Sequence, residues 1–500
     1  MNAFCLKEKP WIDERIKRAQ IDKYLDKGAD FIPHGEIEQK LRKAAAEVGD
    51  PAYVRDIFQK SLKVETLTPD ETAALLHVED PQLWEEMHAM AARIKTKVYD
   101  NRIVTFAPLY LSNLCVNDCQ YCGFRRSNPL AQRNILTMDA VRRETEVLAG
   151  TIGHKRLIVV YGEHPRSDAE YIKKSIEAIY SVKMKTKKGW GSIRRVNVNA
   201  APLRVEELKE LKDIGIGTFQ VFQETYHRDT YARVHPAGTL KANYAWRLTC
   251  MHRAMEAGVD DVGLGVLFGL YDWRFEVMGL LYHAIELERK FGIGPHTISF
   301  PRLEPANNTP FASHSRYRVT DEDLKKIITI IRLAVPYTGM ILTAREPAAI
   351  RRQLIPVGVT QTDASTKIGV GAYQRHAAGQ ENERQQFILG DTRSLDEVIR
   401  ELAHMGYITS FCTAGYRCGR TGQKIMNLLK TGREGQFCKL NAVLTFREWL
   451  DDFASDATKQ AARPVIQKEI EEIKEKVPSL YPLFAEYYQR VSGGERDLYI

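Results

Sequence analysis

The sequence predicts an α/β fold: a closed (β/α)8 barrel of the TIM type with helical extensions at both ends. Two patterns lead to this prediction. From about Ile103 onward, short apolar runs alternate with amphipathic helical segments, which is typical of repeated βα units that form a parallel sheet. Eight such runs occur, and a chain of 500 residues has room for one barrel of ~250 residues or more with appendages.

The eight predicted strands determine where reactive side chains are expected. The strands lie near residues 104–111, 157–161, 196–199, 219–222, 262–267, 297–300, 340–343 and 359–362. In barrels of this class the active site forms at the C-terminal ends of the strands. Polar and sulfur-bearing side chains that directly follow these runs are therefore candidates for one shared site.

The chain divides into three predicted regions. Residues 1–100 form an N-terminal helical extension, because they carry helix formers with apolar residues three or four positions apart. Residues 101–390 form the barrel. Residues 391–500 form a C-terminal, mostly helical region that is too short and too polar to be a large independent domain. Its charged stretch 468–476 is expected to be a solvent-facing helix.

Composition argues against several classes of function. The longest apolar runs, such as residues 265–270, are too short to span a membrane, and residues 1–5 lack the apolar segment of a signal peptide. We therefore expect a cytoplasmic protein with no membrane partner. The net charge of +8, from 72 basic and 64 acidic residues, is spread along the chain. No basic tract with interleaved aromatic residues is present, so nucleic acid is not an expected partner.

Three cysteines within eight residues carry the strongest chemical signal. Cys115, Cys119 and Cys122 follow the first predicted strand with C-x3-C-x2-C spacing, which supplies three thiolates to a four-iron cluster and leaves one iron open. The alternatives are a zinc site or ordinary buried thiols. Zinc knuckles usually pair C-x2-C with a second, distant pair, and nothing near Cys122 provides one. The spacing resembles the signature of the radical S-adenosylmethionine (SAM) superfamily.

Four residues in or after the later strands are candidate SAM contacts, with Arg247 in a predicted helix. In the superfamily that the cysteine spacing resembles, a Gly-Glu after the second strand accepts the SAM ammonium, and Glu163 occupies that place. Glu224, in the fourth strand segment, is suited to the ribose hydroxyls, and Arg247 could pair with the SAM carboxylate through a bidentate fork. Asn199, at the end of the third strand, is the fourth candidate. Each could instead belong to a structural ion pair or hydrogen-bond network.

Several motifs together resemble one family, the tyrosine lyases of the radical SAM superfamily. The motifs are the cysteine segment with Gly-Phe after it and residues 160–165, 222–226, 246–249 and 294–299. The resemblance covers nearly the whole chain. This family includes the 2-iminoacetate synthases of thiamine synthesis and the maturases of FeFe-hydrogenases. The cysteine-containing C-terminal region resembles that of the maturases and is absent from the thiamine enzymes.

The resemblance implies a reaction and a substrate site. The reaction is cleavage of the Cα–Cβ bond of L-tyrosine to p-cresol and dehydroglycine, followed in the maturases by conversion to carbon monoxide and cyanide for assembly of the hydrogenase H-cluster. A low-potential electron donor and hydrogenase maturation partners are also implied. Arg345, after the seventh strand, matches an arginine that binds the amino-acid carboxylate. Arg302 and Glu304, after the sixth strand, could contact substrate or form a structural loop.

The C-terminal cysteines depart from the pattern of the maturases. In that pattern, C-x2-C-x22-C binds an auxiliary iron-sulfur cluster. Cys412 and Cys438 match its first and last positions, but Gly415 stands at the middle one. Cys418 lies about one helical turn further on and could reach the same cluster or point elsewhere. His296 matches a histidine that ligates an additional labile iron, and could also be a structural histidine of the barrel.

Three functions therefore stay open on the sequence. The chain could cleave tyrosine and supply the auxiliary cluster with dehydroglycine, or it could be a 2-iminoacetate synthase that makes no carbon monoxide. A non-enzymatic iron-sulfur scaffold or carrier is the third, and Glu163, Glu224 and Arg247 argue against it because a carrier needs no SAM pocket.

Overall fold

A closed barrel of parallel strands forms the centre of the protein. The computed structural model describes residues 4–46, 50–375, 381, 383–430 and 434–500. The strands in these residues are β1 (Arg102–Ser112), β2 (Arg156–Tyr161), β3 (Met184–Lys185), β4 (Trp190–Gly191), β5 (Arg195–Asn199), β6 (Phe219–Gln220), β7 (Val262–Gly265), β8 (Thr297–Ser299), β9 (Gly339–Leu342), β10 (Gln361–Asp363) and β11 (Ile408–Ser410).

Strands β1, β2 and β5 to β10 follow one another around the barrel, all in parallel. The sheet closes because β10 pairs with β1, which places Val104 beside Gln361. Each of the eight predicted strands overlaps one of these barrel strands, so the predicted fold class is confirmed. Burial on both faces explains their apolar character: ten of the eleven residues of β1 are buried, because helices cover the outside and side chains fill the inside.

Six helices precede the barrel in the part of the chain that the structure describes. They are α1 (Phe4–Arg15), α2 (Ala19–Asp22), α3 (His34–Ala46), α4 (Pro51–Leu62), α5 (Pro69–Leu76) and α6 (Pro81–Tyr99). Local sequence explains several of their starts. Helices α4, α5 and α6 each begin with proline directly after Asp50, Thr68 or Asp80, whose side chain accepts a hydrogen bond from the first turn.

Ten helices lie between the barrel strands. They are α7 (Met138–Glu146), α8 (Ala169–Tyr180), α9 (Val205–Asp213), α10 (Arg228–Val234), α11 (Tyr244–Leu248), α12 (Cys250–Glu256), α13 (Trp273–Phe291), α14 (Pro310–His314), α15 (Asp321–Ala334) and α16 (Ala348–Leu354). A π-helical segment, Val147–Ile152, extends α7, and two short 3₁₀ turns occur at Pro165–Ser167 and Leu240–Ala242.

Six helices and one strand follow the barrel within the described residues. The helices are α17 (Leu395–His404), α18 (Ala414–Arg417), α19 (Gly422–Lys430), α20 (Glu434–Asp452), α21 (Asp456–Lys476) and α22 (Tyr481–Ser492). Strand β11 was not predicted. It adds in parallel to the first residues of β1, with Arg102 beside Ile408, and so attaches the C-terminal region to the N-terminal end of the barrel sheet.

The charged stretch 468–476 corrects one expectation. It is helical as predicted, at the end of α21, but Glu469 and Ile473 are fully buried. The Glu469 carboxylate accepts a hydrogen bond from Asn101 at 2.7 Å and pairs with Lys439 at 2.9 Å. The helix therefore packs one face on the protein, because a buried acidic residue is tolerated where a lysine and an amide satisfy it.

No helix within the described ranges is long and apolar enough to cross a membrane. The division at residues 100 and 390 stays a prediction.

Candidate active site

The three clustered cysteines line one cavity at the C-terminal ends of the barrel strands. Cys115, Cys119 and Cys122 follow β1 directly and contribute to its wall together with side chains from the ends of the other strands. The cavity volume is about 220 Å³, whereas a single water needs only ~10–15 Å³. The space is therefore large enough for a ligand.

The backbone of the cysteine loop (residues 115–122) is fixed by two neighbours. Gly162 leaves no room for a side chain, because a Cβ atom there would lie 2.1 Å from the carbonyl oxygen of Leu114. The Arg133 guanidinium donates to the carbonyl oxygens of Asn113 at 2.9 Å and Phe124 at 2.7 Å, which are on either side of the loop. The loop is thus held against β2 and closed at its base.

Burial raises the pKa of all three thiols. For Cys119 the pKa rises to about 11, and the nearby ammonium of Lys241 partly opposes that rise. The pKa values of Cys115 and Cys122 are raised as well, with burial as the largest cause. Metal binding reverses this preference, because a coordinating thiol is deprotonated outright. Burial therefore favours the neutral form of these thiols, and iron binding favours the deprotonated thiolates.

The loop suits an iron-sulfur cluster better than a single ion. Over the described part of the chain, no three His, Cys, Asp or Glu side chains converge on one metal position. A [4Fe–4S] cluster takes one thiolate on each iron, so its ligands need not converge. Three thiols facing one cavity, with Glu163 and Glu224 on the adjoining wall, fit a cluster whose fourth iron remains open to a ligand.

The predicted SAM contacts meet on the wall beside the cysteine loop. Glu163, Asn199, Glu224 and Arg247 all line the cavity. Glu163 accepts a hydrogen bond from the amide of Asn117, a residue of the cysteine loop, at 2.5 Å. These contacts place carboxylates and a guanidinium next to the thiols, where a zwitterionic ligand of the open iron would lie.

Glu224 is the most constrained of these residues. Its backbone has a φ of +72°, which lies in a region that residues other than glycine rarely adopt. Its Oε1 accepts hydrogen bonds from Lys241 Nζ at 2.7 Å and Arg247 Nη2 at 3.3 Å. Burial pushes the pKa of Glu224 up, but these two cations outweigh burial and hold the pKa below its ordinary value. Oε2 receives no hydrogen bond from any described residue, so it is available to a ligand.

Arg345 lies in the cavity wall with an unused hydrogen-bonding face. Its guanidinium carbon is 3.4 Å from the ring centre of Phe387. It forms no hydrogen bond or ion pair with any described residue. A planar fork of donors that is packed on an aromatic ring and left unpaired is suited to a ligand carboxylate.

Glu304 lines the same cavity, and its carboxylate accepts no hydrogen bond from the described residues. Burial raises its pKa, and the charge of Glu346 adds to the rise. Arg302, by contrast, does not line the cavity. Its guanidinium bonds to Glu346 and to the carbonyl oxygen of Val319 and pairs with Asp321 at 2.8 Å. The structure therefore brings Glu304 to the site and places Arg302 behind it, beside the carboxylate that follows Arg345.

The second cysteine group (Cys412, Cys418 and Cys438) lies away from the first. Cys412 follows β11 and has a φ of +48°, a strained conformation for a residue with a side chain. The Arg195 guanidinium is 3.7 Å from its sulfur. Cys418 directly follows α18 and is exposed, and Cys438 lies in α20 and is half-buried. Helices α18 and α20 pack together, which brings the segments that carry these two cysteines next to each other.

Position 415 could hold a cysteine without strain. Gly415 lies in α18, and a Cβ atom there would meet only the backbone oxygen and Cβ of Arg420, at 3.5 and 4.0 Å. Those distances are ordinary van der Waals contacts. The glycine is therefore not required by the backbone.

His296 shares the N-terminal end of the barrel with Cys412. It precedes β8, and its Nε2 lies 4.0 Å from Asp261 Oδ2. Arg195 connects the two groups, because its Nη2 pairs with the same Asp261 oxygen at 2.7 Å while its Nη1 approaches Cys412. His296 and Cys412 thus belong to one group of neighbouring side chains. This group lies at the opposite end of the barrel from the cysteine loop.

Several cavity residues were not predicted from the sequence, among them Asn117, Lys241, Gln386 and Phe387. Asn117 lies inside the cysteine spacing, and that position is the one sequence signal that points to it. Lys241 lies in a short turn, and Gln386 and Phe387 lie in a loop beyond the strand pattern, so no periodicity pointed to them. Gln386 donates to Cys122 Sγ at 3.6 Å and accepts from the Tyr110 hydroxyl at 3.0 Å.

Comparison with known proteins places this geometry in a family. Residues 109–278 match the model of the radical SAM superfamily, and residues 299–408 match the biotin and thiamin synthesis associated domain. The chain is 30% identical over 369 residues to 2-iminoacetate synthase of Escherichia coli (strain K12), which covers 73% of this chain and 93% of the relative. The 2-iminoacetate synthase of Salmonella typhimurium is also 30% identical, over 350 residues, 70% of this chain and 88% of the relative.

Two solved structures are also similar. HydG, described as a maturase of the [FeFe]-hydrogenase, has a TM-score of 0.88 and 48% identity, covering 94% of this chain and 100% of that chain. The FeFe-hydrogenase maturase HydG from Carboxydothermus hydrogenoformans has a TM-score of 0.73 and 36% identity, covering 92% and 98%. The protein is a radical SAM enzyme, so a [4Fe–4S] cluster and SAM are its cofactors. Within that superfamily, the chain belongs to the family of 2-iminoacetate synthase and HydG.

Proposed function

We propose that the protein is a radical SAM lyase that cleaves the Cα–Cβ bond of L-tyrosine to p-cresol and dehydroglycine. One observation supports an amino-acid substrate above all: the Arg345 guanidinium, in the wall of the cavity that the three cysteines line, has no hydrogen-bond or ion-pair partner among the described residues. Membership of the family of 2-iminoacetate synthase and HydG supports tyrosine in particular.

The residues divide into a cofactor end and a substrate end. Cys115, Cys119 and Cys122 would hold the cluster, and Glu163 and Glu224 would receive donors of SAM. When bound there, a reduced cluster would supply one electron to SAM, and SAM would supply the radical that removes a hydrogen atom from the substrate. A low-potential electron donor must therefore reach the protein.

At the substrate end, Arg345 binds the tyrosine carboxylate through its free fork. Glu304 is placed to accept a proton from the substrate ammonium, because its raised pKa makes its carboxylate a stronger base than an exposed glutamate. The apolar side chains of Ile158, Phe222 and Ile341 line the same cavity and can exclude water from the phenol ring. Arg345 thus fixes the carboxylate, and Glu304 converts the ammonium to a neutral amine. The amino group can then lose a hydrogen atom.

The product assay tests this proposal. The protein is reconstituted with iron and sulfide without oxygen, then incubated with SAM, a reductant and tyrosine, and p-cresol and 5'-deoxyadenosine are measured. We expect p-cresol only when tyrosine is present. If 5'-deoxyadenosine forms but p-cresol does not, tyrosine is not the substrate. If SAM is not cleaved, the protein is an iron-sulfur scaffold or carrier.

We further propose that Cys412, Cys418 and Cys438 hold a second cluster, with Cys418 in place of the missing cysteine at 415. Packing of α18 on α20 supports this arrangement, because it brings the segments that carry Cys418 and Cys438 together. His296 lies in the same end of the barrel and could ligate an additional iron. Such a site would convert dehydroglycine to carbon monoxide and cyanide for a hydrogenase maturation partner.

Iron content and gas production distinguish the two outcomes of this second proposal. About eight irons per chain, with carbon monoxide and cyanide from tyrosine, would support the second cluster. About four irons, with p-cresol and no carbon monoxide, would identify a 2-iminoacetate synthase and contradict the second cluster.

A further inference from the structure

We propose that Lys241 is a positioning residue for the cofactor end of the cavity: it ties the cysteine loop to Glu224 and places a positive charge beside the cluster site. This inference deepens the proposed function at the same site. It rests on the cluster and SAM alone, so it does not depend on tyrosine being the substrate.

The backbone of Lys241 is fastened to the cysteine loop. Its N–H donates to Asn117 Oδ1 at 2.9 Å, and the amide nitrogen of the same Asn117 donates to Glu163. The Tyr231 hydroxyl donates to the carbonyl oxygen of Lys241 at 2.6 Å, and the neighbouring Leu240 is buried. The short turn that carries Lys241 therefore has a fixed position relative to the cysteines.

The side chain of Lys241 orients Glu224. Its ammonium donates to Oε1 at 2.7 Å, and the Arg247 guanidinium donates to the same oxygen at 3.3 Å. Both cations act on one oxygen, so Oε2 has no donor among the described residues and can receive hydroxyl groups of SAM. The positive φ of Glu224 gives this carboxylate a strained backbone. Without Lys241, one of two restraints on that strained residue is lost.

The charge of Lys241 is also placed to act on the cluster. Its Nζ lies 5.4 Å from the ring centre of Tyr121, which stands between Cys119 and Cys122 in the sequence. Only 11% of its side chain is exposed, so solvent screens the charge weakly. Net charge around an iron-sulfur cluster sets its reduction potential, and a nearby cation favours the reduced state. Lys241 is therefore expected to raise the potential.

The number of charges on this wall of the cavity shows why Lys241 does more than form an ion pair with Glu224. Two carboxylates, Glu163 and Glu224, and two cations, Lys241 and Arg247, lie on this wall of the cavity. Arg247 alone would suffice to neutralise Glu224. Removal of Lys241 leaves one uncompensated negative charge beside the cluster, which is the change that a reduction potential reports.

The experiment compares Lys241→Met, which keeps the length and loses the charge, with Lys241→Arg, which keeps the charge. Lys187→Met is the matched control, because Lys187 is exposed on a distant loop. The midpoint potential is measured by redox titration of the cluster whose electron paramagnetic resonance signal changes on SAM addition. The SAM dissociation constant is measured by calorimetry, without tyrosine in either case.

We expect Lys241→Met to shift the potential to more negative values and to weaken SAM binding at least about tenfold, since a hydrogen bond to a charged group is lost. Lys241→Arg should keep the potential of the unaltered protein, and Lys187→Met should change neither quantity. An unchanged potential and affinity in Lys241→Met would overturn the proposal. An equal negative shift in Lys241→Arg would do so too, because charge would not be its cause.

Loss of the cluster in a variant is also informative. If Lys241→Met fails to assemble the cluster while Lys241→Arg assembles it, the charge is needed at this position and the proposal stands. If both variants fail, Lys241 has a purely structural role and the proposal is wrong. The SAM affinity of the unaltered protein is independent of p-cresol formation, so a failure here and a failure of tyrosine cleavage are distinguishable.

Discussion

At the scale of single residues, Arg345 decides which class of substrate the cavity can accept. Its guanidinium is packed against Phe387 and has no carboxylate partner among the described residues, although Glu304 lies in the same wall. Burial lowers its pKa below the ordinary value, yet a guanidinium remains charged in proteins. A charged, unpaired donor in a partly dry cavity is costly unless a ligand anion binds it.

Replacing Arg345 with alanine should therefore weaken tyrosine binding. A hydrogen bond to a charged group contributes about 1.5–3 kcal/mol, which corresponds to roughly one to two decades in KM for tyrosine. Steady-state p-cresol formation measures the change. Arg490→Ala, which removes an exposed arginine of α22, is the control. An unchanged KM for tyrosine in Arg345→Ala would rule out the carboxylate contact.

Glu276 gives a prediction for the dependence of stability on pH. It is fully buried in α13, accepts hydrogen bonds from Thr225 and Tyr226, and burial raises its pKa from 4.5 to about 8. Between these two pH values the folded state holds a proton that the unfolded state has lost. Stability should therefore fall as pH rises through this window, by up to about 1.4 kcal/mol per pH unit.

Thermal unfolding between pH 6 and pH 8 checks this expectation. Glu276→Gln has no proton to lose, so its stability relative to the unaltered protein should increase with pH. Glu471→Gln, at an exposed position of α21, should follow the unaltered protein. Parallel pH profiles for the unaltered protein and Glu276→Gln would show that Glu276 keeps an ordinary pKa.

At the scale of elements, the end of β2 controls the cysteine loop. A Cβ atom on Gly162 would lie 2.1 Å from the Leu114 carbonyl oxygen, and backbone cannot move aside cheaply. Gly162→Ala should therefore displace the loop and abolish binding of the first cluster, which iron content and visible absorption measure. Gly35→Ala is the control, because no atom lies within 4 Å of a Cβ there. Full cluster loading in Gly162→Ala would contradict the close packing of these two segments.

Helix α18 offers a second test at this scale. Because a Cβ fits at Gly415, Gly415→Cys should restore the cysteine spacing without strain. If Cys418 already serves the second cluster, Cys418→Ala should lose about four irons per chain, and Gly415→Cys in that background should recover them. Formation of p-cresol should persist throughout, because the first site is at the other end of the barrel. An iron content that none of these changes affects would mean that Cys418 is not a ligand.

The sequence predicted elements well where periodicity carried the signal. The barrel strands lie in or beside apolar runs that alternate with helical segments, so each could be recognised from its own stretch of sequence. Strand β11 could not, because only three residues pair and their partner is the start of β1, about 300 positions earlier. The stretch 468–476 was predicted wrongly for a similar reason. Its charges are typical of a solvent-exposed helix, and only its long-range contacts with Lys439 and Asn101 reveal a buried face.

At the scale of the whole molecule, the last residues of the chain fasten the second cysteine group. Asp497 pairs with Arg417 at 2.7 Å, on one side of Cys418. The Ile500 backbone bonds to Asn441 at 2.7 and 2.9 Å, one helical turn after Cys438. Arg420 also donates to the Ile500 carbonyl oxygen at 2.9 Å. The terminal segment thus joins the two elements that carry the exposed and the half-buried cysteine.

Removal of residues 497–500 should therefore expose Cys438. Loss of even 1 kcal/mol of these contacts changes an opening equilibrium about fivefold, so alkylation of Cys438 in the apoprotein should accelerate at least that much. Mass spectrometry of the labelled peptides measures the rate. Cys250, which is fully buried in α12, should stay unlabelled if the barrel is intact. An unchanged rate at Cys438 would show that the segment covers nothing.

Most of the site could be predicted because strand order places residues after each β-strand at one end of the barrel. That rule brought the cysteine loop, Glu163, Asn199, Glu224 and Arg345 together. It could not distinguish Arg302, which follows β8 but is held by Glu346, since the direction of a loop side chain depends on its neighbours. Nor could it find Lys241, whose importance comes from contacts rather than from its own segment.

Tyrosine cleavage that depends on the cysteine loop is tested most directly by the yields of p-cresol and 5'-deoxyadenosine from tyrosine. The yields are compared between the unaltered protein and a variant in which Cys115, Cys119 and Cys122 are all replaced by alanine. The reconstituted, unaltered protein should form both products, and the variant should form neither, because it lacks the three thiolates that hold the cluster. Undiminished 5'-deoxyadenosine from the triple variant would show that these cysteines do not hold the SAM-cleaving cluster. Formation of 5'-deoxyadenosine without p-cresol by the unaltered protein would show that tyrosine is not the substrate.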